Sequence, residues 1–205
     1  MAPIRLAVLV SGSGTILEAM IQAELDVALV VSDRPCRGLE VASGSGVVAR
    51  LVDRAMFGGF TADFDREAYS MELARTLELA NVDLIAMAGF GTVVTGSFHR
   101  AFPGRVLNTH PSLLPAFKGW HAVAATLEAG VSESGCTVHV ATEALDDGPI
   151  LAQRRVPVFL DDSEASLHER IKQVERTLYP EVVARVMASL AQGREPASVQ
   201  VAEET

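Results

Sequence analysis

Residues 4–15 have the sequence IRLAVLVSGSGT, in which a run of apolar residues passes directly into a glycine-rich turn. The run from Ile4 to Val10 does not alternate apolar with polar residues, which indicates a strand covered on both faces, as in a parallel sheet. After the turn, apolar residues recur at helical spacing, with Ile16, Met20 and Ala23 on one side. A strand, a turn and a helix in this order predict an α/β fold, and the helix N-terminus offers unpaired N–H groups to an anion.

The glycine turn by itself is a weak indication of a binding site. Gly12 and Gly14 have the first spacing of the dinucleotide pattern G-x-G-x-x-G, but Leu17 stands where the third glycine would be. The turn also lacks the lysine of a P-loop. On these residues alone, an anion-binding loop and an ordinary turn between a strand and a helix are equally good interpretations.

Strands and helices continue to alternate along the chain, with short apolar runs separated by segments of helical spacing. After Gly135 two predicted strands are joined without room for a helix, so they must pair antiparallel if they are neighbours. Asp65, Thr95 and Ser163 are predicted N-caps, and Pro180 should kink or split the long final helix. The fold class is therefore α/β, with a mostly parallel central sheet, an antiparallel C-terminal part and helices on both faces. The predicted strands are residues 4–10, 27–31, 47–52, 84–88, 106–110, 135–142 and 150–156, and the predicted helices are 16–23, 38–43, 66–79, 96–102, 121–129 and 164–190.

Length and composition bound the function. The chain of 205 residues suits one domain, which we place at residues 1–192, followed by a polar tail at residues 193–205. A net charge of −9 argues against a nucleic-acid surface. The sequence has neither a membrane-length apolar run nor a signal-peptide pattern, and its two cysteines suggest neither a disulfide framework nor a metal cluster. We therefore expect a cytoplasmic protein that binds no nucleic acid, membrane or metal.

Residues 107–115, LNTHPSLLP, combine the end of a strand with a rigid polar turn. In an extended chain Asn108 and His110 lie on the same face because they alternate around Thr109, and Pro111 keeps His110 out of the helical region. An amide donor and an imidazole on one face are suited to polarising a carbonyl and carrying its proton. An Asn at a turn and a structural His are the more frequent explanation of such a pair, so the pair alone does not establish a catalytic site.

The complete string at residues 107–115 closely resembles the signature of the folate-dependent formyltransferases, and the resemblance extends from the first strand to about Tyr179. These enzymes transfer a formyl group from the co-substrate 10-formyltetrahydrofolate to an amine. Two adjacent aspartates before Gly-Pro usually form a solvated turn, but the family has L/M-D-x-G-P at this place. The resemblance therefore implies a Rossmann-like formyltransferase fold and a catalytic set of Asn108, His110 and Asp146, with Asp146 acting partly through water.

Within the family, the chain resembles the enzymes that formylate 5-phosphoribosylglycinamide in de novo purine biosynthesis. This resemblance implies small-molecule partners and leaves a homodimer open. It implies that Glu175 holds the polar end of the substrate and that the substrate phosphate is bound by Gly14, Thr15, Ile16 and Arg66. It implies that the folate is bound by Gly91, Thr92, Val93, Val94, Asn108, Thr142, Glu143, Ala144, Leu145 and Asp146.

The chain departs from the family pattern at two of these places. The family often has Met-Arg where this chain has Gly91-Thr92, which affects the details of folate-tail binding. It often has Asn where Ile16 stands, which removes one phosphate contact. For His139, on a predicted strand, a core histidine and a histidine near the active centre are equally good interpretations.

Two alternative functions remain. One is an enzyme like formyltetrahydrofolate hydrolase, and the other is a non-catalytic module that binds a sugar phosphate. The second alternative would leave Asn108, His110 and Asp146 without a reason to coincide.

Overall fold

The computed structural model describes residues 3–199, and their packing divides the chain into two compact units, Met1–Val106 and Leu107–Thr205. The single domain at residues 1–192 stays a prediction. Of the predicted tail, residues 193–199 include one turn of 3-10 helix, Pro196–Ser198, in which Pro196 is buried, and residues 200–205 lie outside the described part. Within residues 3–199, no helix is both long enough and apolar enough to cross a membrane.

The first unit alternates strands with helices, as predicted. Its strands are all parallel and lie in the order β3-β2-β1-β4. One turn of 3-10 helix, Arg54–Phe57, follows β3. The strands are β1 (Leu6–Val10), β2 (Val27–Ser32), β3 (Ala49–Leu51) and β4 (Leu84–Met87), and the helices are α1 (Thr15–Gln22), α2 (Arg37–Gly44), α3 (Arg66–Leu79) and α4 (Gly96–Ala101).

Burial and helix caps explain why the sequence predicted these elements. All five residues of β1 are completely buried, which is why this run shows no alternation. Asp65 caps α3, because its carboxylate accepts a hydrogen bond from the N–H of Ala68 at 2.9 Å. Thr95 occupies the N-cap position of α4, but its hydroxyl lies 2.8 Å from the hydroxyl of Ser97 and does not cap the helix. The position of this cap was predicted correctly and its hydrogen bond was not.

The second unit is built on antiparallel strands. Strand β6 (Glu133–Val140) pairs antiparallel with both β5 (Val106–His110) and β7 (Ile150–Pro157). Helix α5 (Ala122–Glu128) lies between β5 and β6 in the chain, and α6 (Glu164–Ala191) follows β7. The predicted change from parallel to antiparallel pairing in the C-terminal part is therefore confirmed.

Helix α6 begins at a predicted cap and continues through a proline. Ser163 and Ser166 cap it reciprocally, each side chain bonding to the other residue's N–H. Pro180 was predicted to kink or split the helix; it does not split it, because α6 is a single helix of 28 residues, and the kink stays a prediction. Pro180 is buried, and the adjacent Tyr179 donates its hydroxyl to the carbonyl of Leu107 at 2.9 Å. Packing on both sides of the proline therefore outweighs the backbone hydrogen bond that proline cannot make.

Candidate active site

The turn after β5 is held by side chains of the neighbouring strands. The hydroxyl of Thr137, on β6, donates to the carbonyl of Ser112 at 2.6 Å and accepts from the N–H of Leu114 at 3.1 Å. Gln153, on β7, donates to the carbonyl of Leu114 at 2.8 Å. Polar backbone groups of this buried turn are thus paired with side chains, which fixes the end of β5 and with it His110.

Asp146 lies at the centre of a buried polar cluster. Its Oδ2 is 3.3 Å from Nδ1 of His110 and accepts a hydrogen bond from the N–H of Gly119 at 2.9 Å. Its Oδ1 is 3.7 Å from Nε2 of His139, and the same nitrogen lies 3.4 Å from Nδ2 of Asn108. We call Asn108, His110, His139 and Asp146 the Asp146 cluster. The structure brings the three predicted catalytic side chains together, and their roles stay predictions.

The two adjacent aspartates have different environments. Asp146 is 7% exposed and points into the cluster, whereas Asp147 is exposed and paired with Lys118, whose hydrogen bond and charge lower the pKa of Asp147. Asp146 has φ of +52°, a left-handed conformation that is uncommon for a residue other than glycine. Gly148 has to be glycine because a Cβ there would overlap the carbonyl oxygen of Val140. The backbone of this turn therefore directs Asp146, and not Asp147, inwards.

His139 has a tautomer defined by its neighbours. Its Nδ1 is 3.1 Å from the carbonyl oxygen of Val140, which can only accept, so Nδ1 carries the hydrogen. Burial lowers the pKa of His139, and the Val140 carbonyl and the Asp146 carboxylate oppose this shift more weakly. In the neutral ring Nε2 is free to accept from the amide of Asn108, which orients that amide. His139 is thus both a buried histidine and a member of the cluster.

His110 has an acceptor at each ring nitrogen. Nε2 is 2.7 Å from the carbonyl oxygen of Phe117, which requires a hydrogen on Nε2, and Nδ1 faces Asp146. Phe117 has φ of +54°, and two residues later the same segment supplies the N–H of Gly119 to Asp146. Sequence reasoning missed both backbone contacts, because main-chain groups have no residue signature. A ligand can accept from Nε2 only after the contact with Phe117 opens.

Glu175, predicted to hold the polar end of the substrate, lies beside β5. It accepts a hydrogen bond from the hydroxyl of Thr109, the residue between Asn108 and His110. Burial raises the pKa of Glu175, and the hydroxyl of Thr109 partly opposes this rise. The structure therefore places a half-buried carboxyl group next to the strand that carries the predicted catalytic pair.

The predicted phosphate site is a backbone loop in the first unit, residues 11–16, which we call the anion loop. Gly14 has φ of +72°, and a Cβ there would lie 2.8 Å from the Cα of Gly38, the second residue of α2. The N–H of Gly38 donates to the carbonyl of Gly12 at 3.0 Å. Glycine is therefore required at position 14 both by the backbone conformation and by the close approach of α2.

The side chains in and near the anion loop are packed in the core, paired with each other or exposed. Ile16 is 6% exposed, so its side chain belongs to the core and only its backbone can serve a ligand. Arg37 donates to the carbonyl of Ser13 at 2.5 Å and pairs with Glu18 at 2.6 Å. Within residues 3–199, the exposed side chain of Arg66 forms no ion pair or hydrogen bond. Arg66 therefore makes no hydrogen bond or ion pair with the described anion loop. The contact of Arg66 with the substrate phosphate stays a prediction.

Two segments are predicted to bind folate, one in each unit. In residues 91–94, the N–H of Gly91 donates to the hydroxyl of Ser11 at 2.5 Å, so the loops that follow β1 and β4 meet as expected for a parallel sheet. In residues 142–146, the hydroxyl of Thr142 donates to the carbonyl of Ala144 at 3.0 Å and Leu145 is exposed. Ligand contacts of both segments stay predictions. The described residues contain no group of three or more His, Cys, Asp or Glu side chains that could hold a metal ion.

Comparison with known proteins identifies the family to which the chain belongs. The profile of the formyl transferase family matches residues 4–183, and the chain belongs to that family. The resemblance to the formyltransferase family that the sequence indicates is confirmed.

Similar proteins are found in both bacteria and animals. Phosphoribosylglycinamide formyltransferase of Mycobacterium tuberculosis strain H37Rv is 41% identical over 191 residues, which cover 89% of this chain and 85% of that protein. Trifunctional purine biosynthetic protein adenosine-3 of Drosophila melanogaster is 41% identical over 196 residues, which cover 91% of this chain but only 14% of that protein. The chain thus spans about one seventh of the trifunctional relative.

Solved structures give the same result for the fold. The crystal structure of glycinamide ribonucleotide transformylase 1 from Symbiobacterium toebii has a TM-score of 0.82 and 42% identity, covering 94% of this chain and 89% of that one. The corresponding enzyme from Geobacillus kaustophilus has a TM-score of 0.82 and 38% identity, covering 91% of this chain and 100% of that one. The predicted Rossmann-like formyltransferase fold is confirmed.

Proposed function

We propose that this protein transfers the formyl group of 10-formyltetrahydrofolate to the amine of 5-phosphoribosylglycinamide, a step of de novo purine biosynthesis. The observation that carries the proposal is the 3.3 Å approach of His110 Nδ1 to Asp146 Oδ2, in a buried cluster that also holds Asn108. Formyl transfer needs an oxyanion donor, a proton carrier and a group that orients the carrier. Asn108, His110 and Asp146 supply one of each.

In the proposed reaction the uncharged amine nitrogen attacks the formyl carbon, a C–N bond forms, and the formyl oxygen becomes an oxyanion. The amide of Asn108 has two hydrogens, so it can donate one to His139 and the other to the oxyanion. The bond from the formyl carbon to the folate nitrogen then breaks as the carbonyl reforms. One proton leaves the attacking nitrogen and one reaches the folate nitrogen, so the transfer is balanced.

His110 is the proposed carrier of that proton, and Asp146 orients the imidazole through Nδ1, acting partly through water. Nε2 of His110 becomes available when its contact with the Phe117 carbonyl is exchanged for one with substrate. His139 is a positioning residue in this scheme, because in its neutral form it accepts from Asn108 and sets the direction of the amide. No step of the proposed chemistry uses a metal ion.

The same proposal assigns each part of the two substrates to a group of residues. The substrate phosphate is bound by the N–H groups of Gly14, Thr15 and Ile16 together with Arg66, because N–H groups at a helix N-terminus favour an anion. Glu175 holds the polar end of the substrate. The folate is bound by residues 91–94, Asn108 and residues 142–146, mainly through backbone groups and apolar walls.

Cys36 and Cys136 are free thiols, which supports the proposed cytoplasmic location.

The proposal is tested by following the loss of 10-formyltetrahydrofolate spectroscopically, with and without 5-phosphoribosylglycinamide, and by identifying the formylated product by mass spectrometry. We expect loss of the formyl donor only when the amine is present, with one formylated product for each folate consumed. Loss without the amine would identify a hydrolase instead. Binding of both compounds without turnover in a folded protein would identify a non-catalytic module.

A further inference from the structure

A buried carboxylate outside the Asp146 cluster holds one of the predicted folate-binding segments. Asp33 directly follows β2 and is completely buried. Its Oδ2 accepts hydrogen bonds from the guanidinium of Arg54 at 2.6 Å and from the hydroxyl of Thr92 at 2.7 Å. A buried carboxylate is costly unless it is paired and hydrogen-bonded. Asp33 therefore needs both partners, and Thr92 lies in the segment 91–94.

Arg54 is fixed on several sides. Its N–H donates to the carbonyl of Asp33 at 2.9 Å, and its guanidinium stacks on the ring of Phe60 with 4.1 Å from Cζ to the ring centroid. The side chain of Arg54 is only 15% exposed. Because an arginine held in this way cannot easily change its conformation, it holds the Asp33 carboxylate in one position relative to Thr92.

The same network limits the size of the side chain that fits at position 91, before Thr92. A Cβ on Gly91 would lie 3.3 Å from the hydroxyl oxygen of Ser11 and 3.7 Å from Nη1 of Arg54. A larger side chain at position 91 would therefore compete with Arg54 for space. Gly91 and Thr92, which depart from the family pattern, thus fit the chain's own Asp33 and Arg54.

Two consecutive residues of the segment are consequently anchored from outside it. The N–H of Gly91 is held by Ser11, and the hydroxyl of Thr92 is held by Asp33. Thr92 is 3% exposed, so its side chain is used inside the protein and leaves only backbone groups to a ligand. The direction of those backbone groups depends on the two anchors.

We propose that Asp33 and Arg54 are positioning residues for the folate-binding segment 91–94, which they hold through the hydroxyl of Thr92, and that they determine the affinity for the folate co-substrate. This inference rests on the proposed function, because it takes the segment to bind folate. It concerns the formyl donor alone, because Asp33, Arg54 and Thr92 lie outside the anion loop that is predicted to bind the phosphate of the amine substrate.

The test compares Thr92→Val, which removes the hydroxyl at nearly constant volume, with Thr92→Ser, which keeps it. Thr76→Val is the control, because within the described residues 3–199 the hydroxyl of Thr76 bonds only to the helix carbonyl of Glu72, at 2.9 Å. For each protein we would measure the Kd for 5-formyltetrahydrofolate by calorimetry, the KM for each substrate, and the Tm. Binding of 5-formyltetrahydrofolate needs no turnover, so it remains measurable if the proposed reaction is wrong.

We expect Thr92→Val to weaken folate binding and to raise the KM for the formyl donor, each by about tenfold, since a hydrogen bond to a buried charge is lost. The KM for the amine should stay within about twofold, Thr92→Ser should recover most of the folate binding that Thr92→Val loses, and Thr76→Val should bind folate like the wild type. An unchanged folate Kd in Thr92→Val, or equal losses for both substrates, would overturn the inference. Normal folate binding without amine-dependent turnover in the wild type would instead refute only the proposed function, and a wild type that binds no folate would refute both.

Discussion

The anion loop and the Asp146 cluster hold their functional groups in different ways. In the loop the groups proposed to meet a ligand are backbone N–H groups, and Gly14 is needed because the backbone of Gly38 approaches it closely. In the cluster the groups are buried side chains at fixed mutual distances, with Asp146 between His110 and His139. A replacement in the cluster removes a chemical group, whereas a replacement in the loop only shifts one. Replacements in the cluster should therefore cause large decreases in kcat. Replacements in the loop should cause smaller changes, mainly in KM.

The largest effect is expected for His110→Gln. Because the variant lacks the proposed proton carrier, kcat should fall by about 1,000-fold, while the Kd for 5-formyltetrahydrofolate stays within a few-fold of the wild type. Steady-state kinetics and calorimetry measure the two quantities. A fall in kcat of less than tenfold in a folded variant would show that His110 does not carry the proton.

Gly14→Ala should have the next largest effect, on KM. The added methyl group meets the Cα of Gly38 and the residue keeps φ of +72°, so the loop has to move, and the KM for 5-phosphoribosylglycinamide should rise by about tenfold with little change in kcat. Gly46→Ala is the matched control, because Gly46 has φ of +73° but nothing within 4 Å of its Cβ position. An equal rise in KM in both variants would mean that backbone strain, and not the packing of the loop against α2, causes the effect.

A smaller change is expected at Arg37, which neutralises Glu18 in the first turn of α1. Arg37→Met leaves the Glu18 carboxylate unpaired near the predicted phosphate site, and the KM for the phosphorylated substrate should rise by about threefold at low salt. The double variant Arg37→Met/Glu18→Gln should return to the wild-type KM. If the double variant stays impaired, Arg37 acts through its bond to Ser13 and not through charge.

The smallest effect concerns stability and pH at Glu175. Burial raises its pKa in the folded protein above the ordinary value of 4.5, so the folded state binds more protons than the unfolded state between these two pKa values. The contribution of Glu175 to stability therefore falls as the pH rises through this window. The Tm of Glu175→Gln relative to the wild type should accordingly be higher at pH 8 than at pH 4. A relative Tm that falls over this range would contradict the raised pKa.

The fold was largely predictable because its signals are local. Fully buried β1 is a continuous apolar run, and the caps at Asp65 and Ser163 lie immediately before their helices. The spacing of Asn108 and His110 on one strand is local as well. Pro180 is the exception, because the continuity of α6 depends on packing with residues distant in the sequence, such as Leu107.

The candidate site was only partly predictable, because much of it depends on distant pairing. His139 joins the cluster since the register of β5 and β6 sets Asn108 opposite His139, and register is not visible in either strand alone. The contacts of Phe117 and Gly119 use main-chain groups, and Asp33 meets Thr92 across 59 residues. The motif therefore indicated which side chains meet but not what orients them.

The most direct test of the proposed catalytic centre compares two adjacent residues, Asp146→Asn and Asp147→Asn. Both variants lose one carboxylate from the same turn, but only Asp146 contacts His110. We would measure amine-dependent loss of 10-formyltetrahydrofolate for the wild type and both variants. The account predicts that kcat falls by about 100-fold or more in Asp146→Asn and stays within about threefold in Asp147→Asn. Equal losses in the two variants, or nearly full activity in Asp146→Asn, would contradict it.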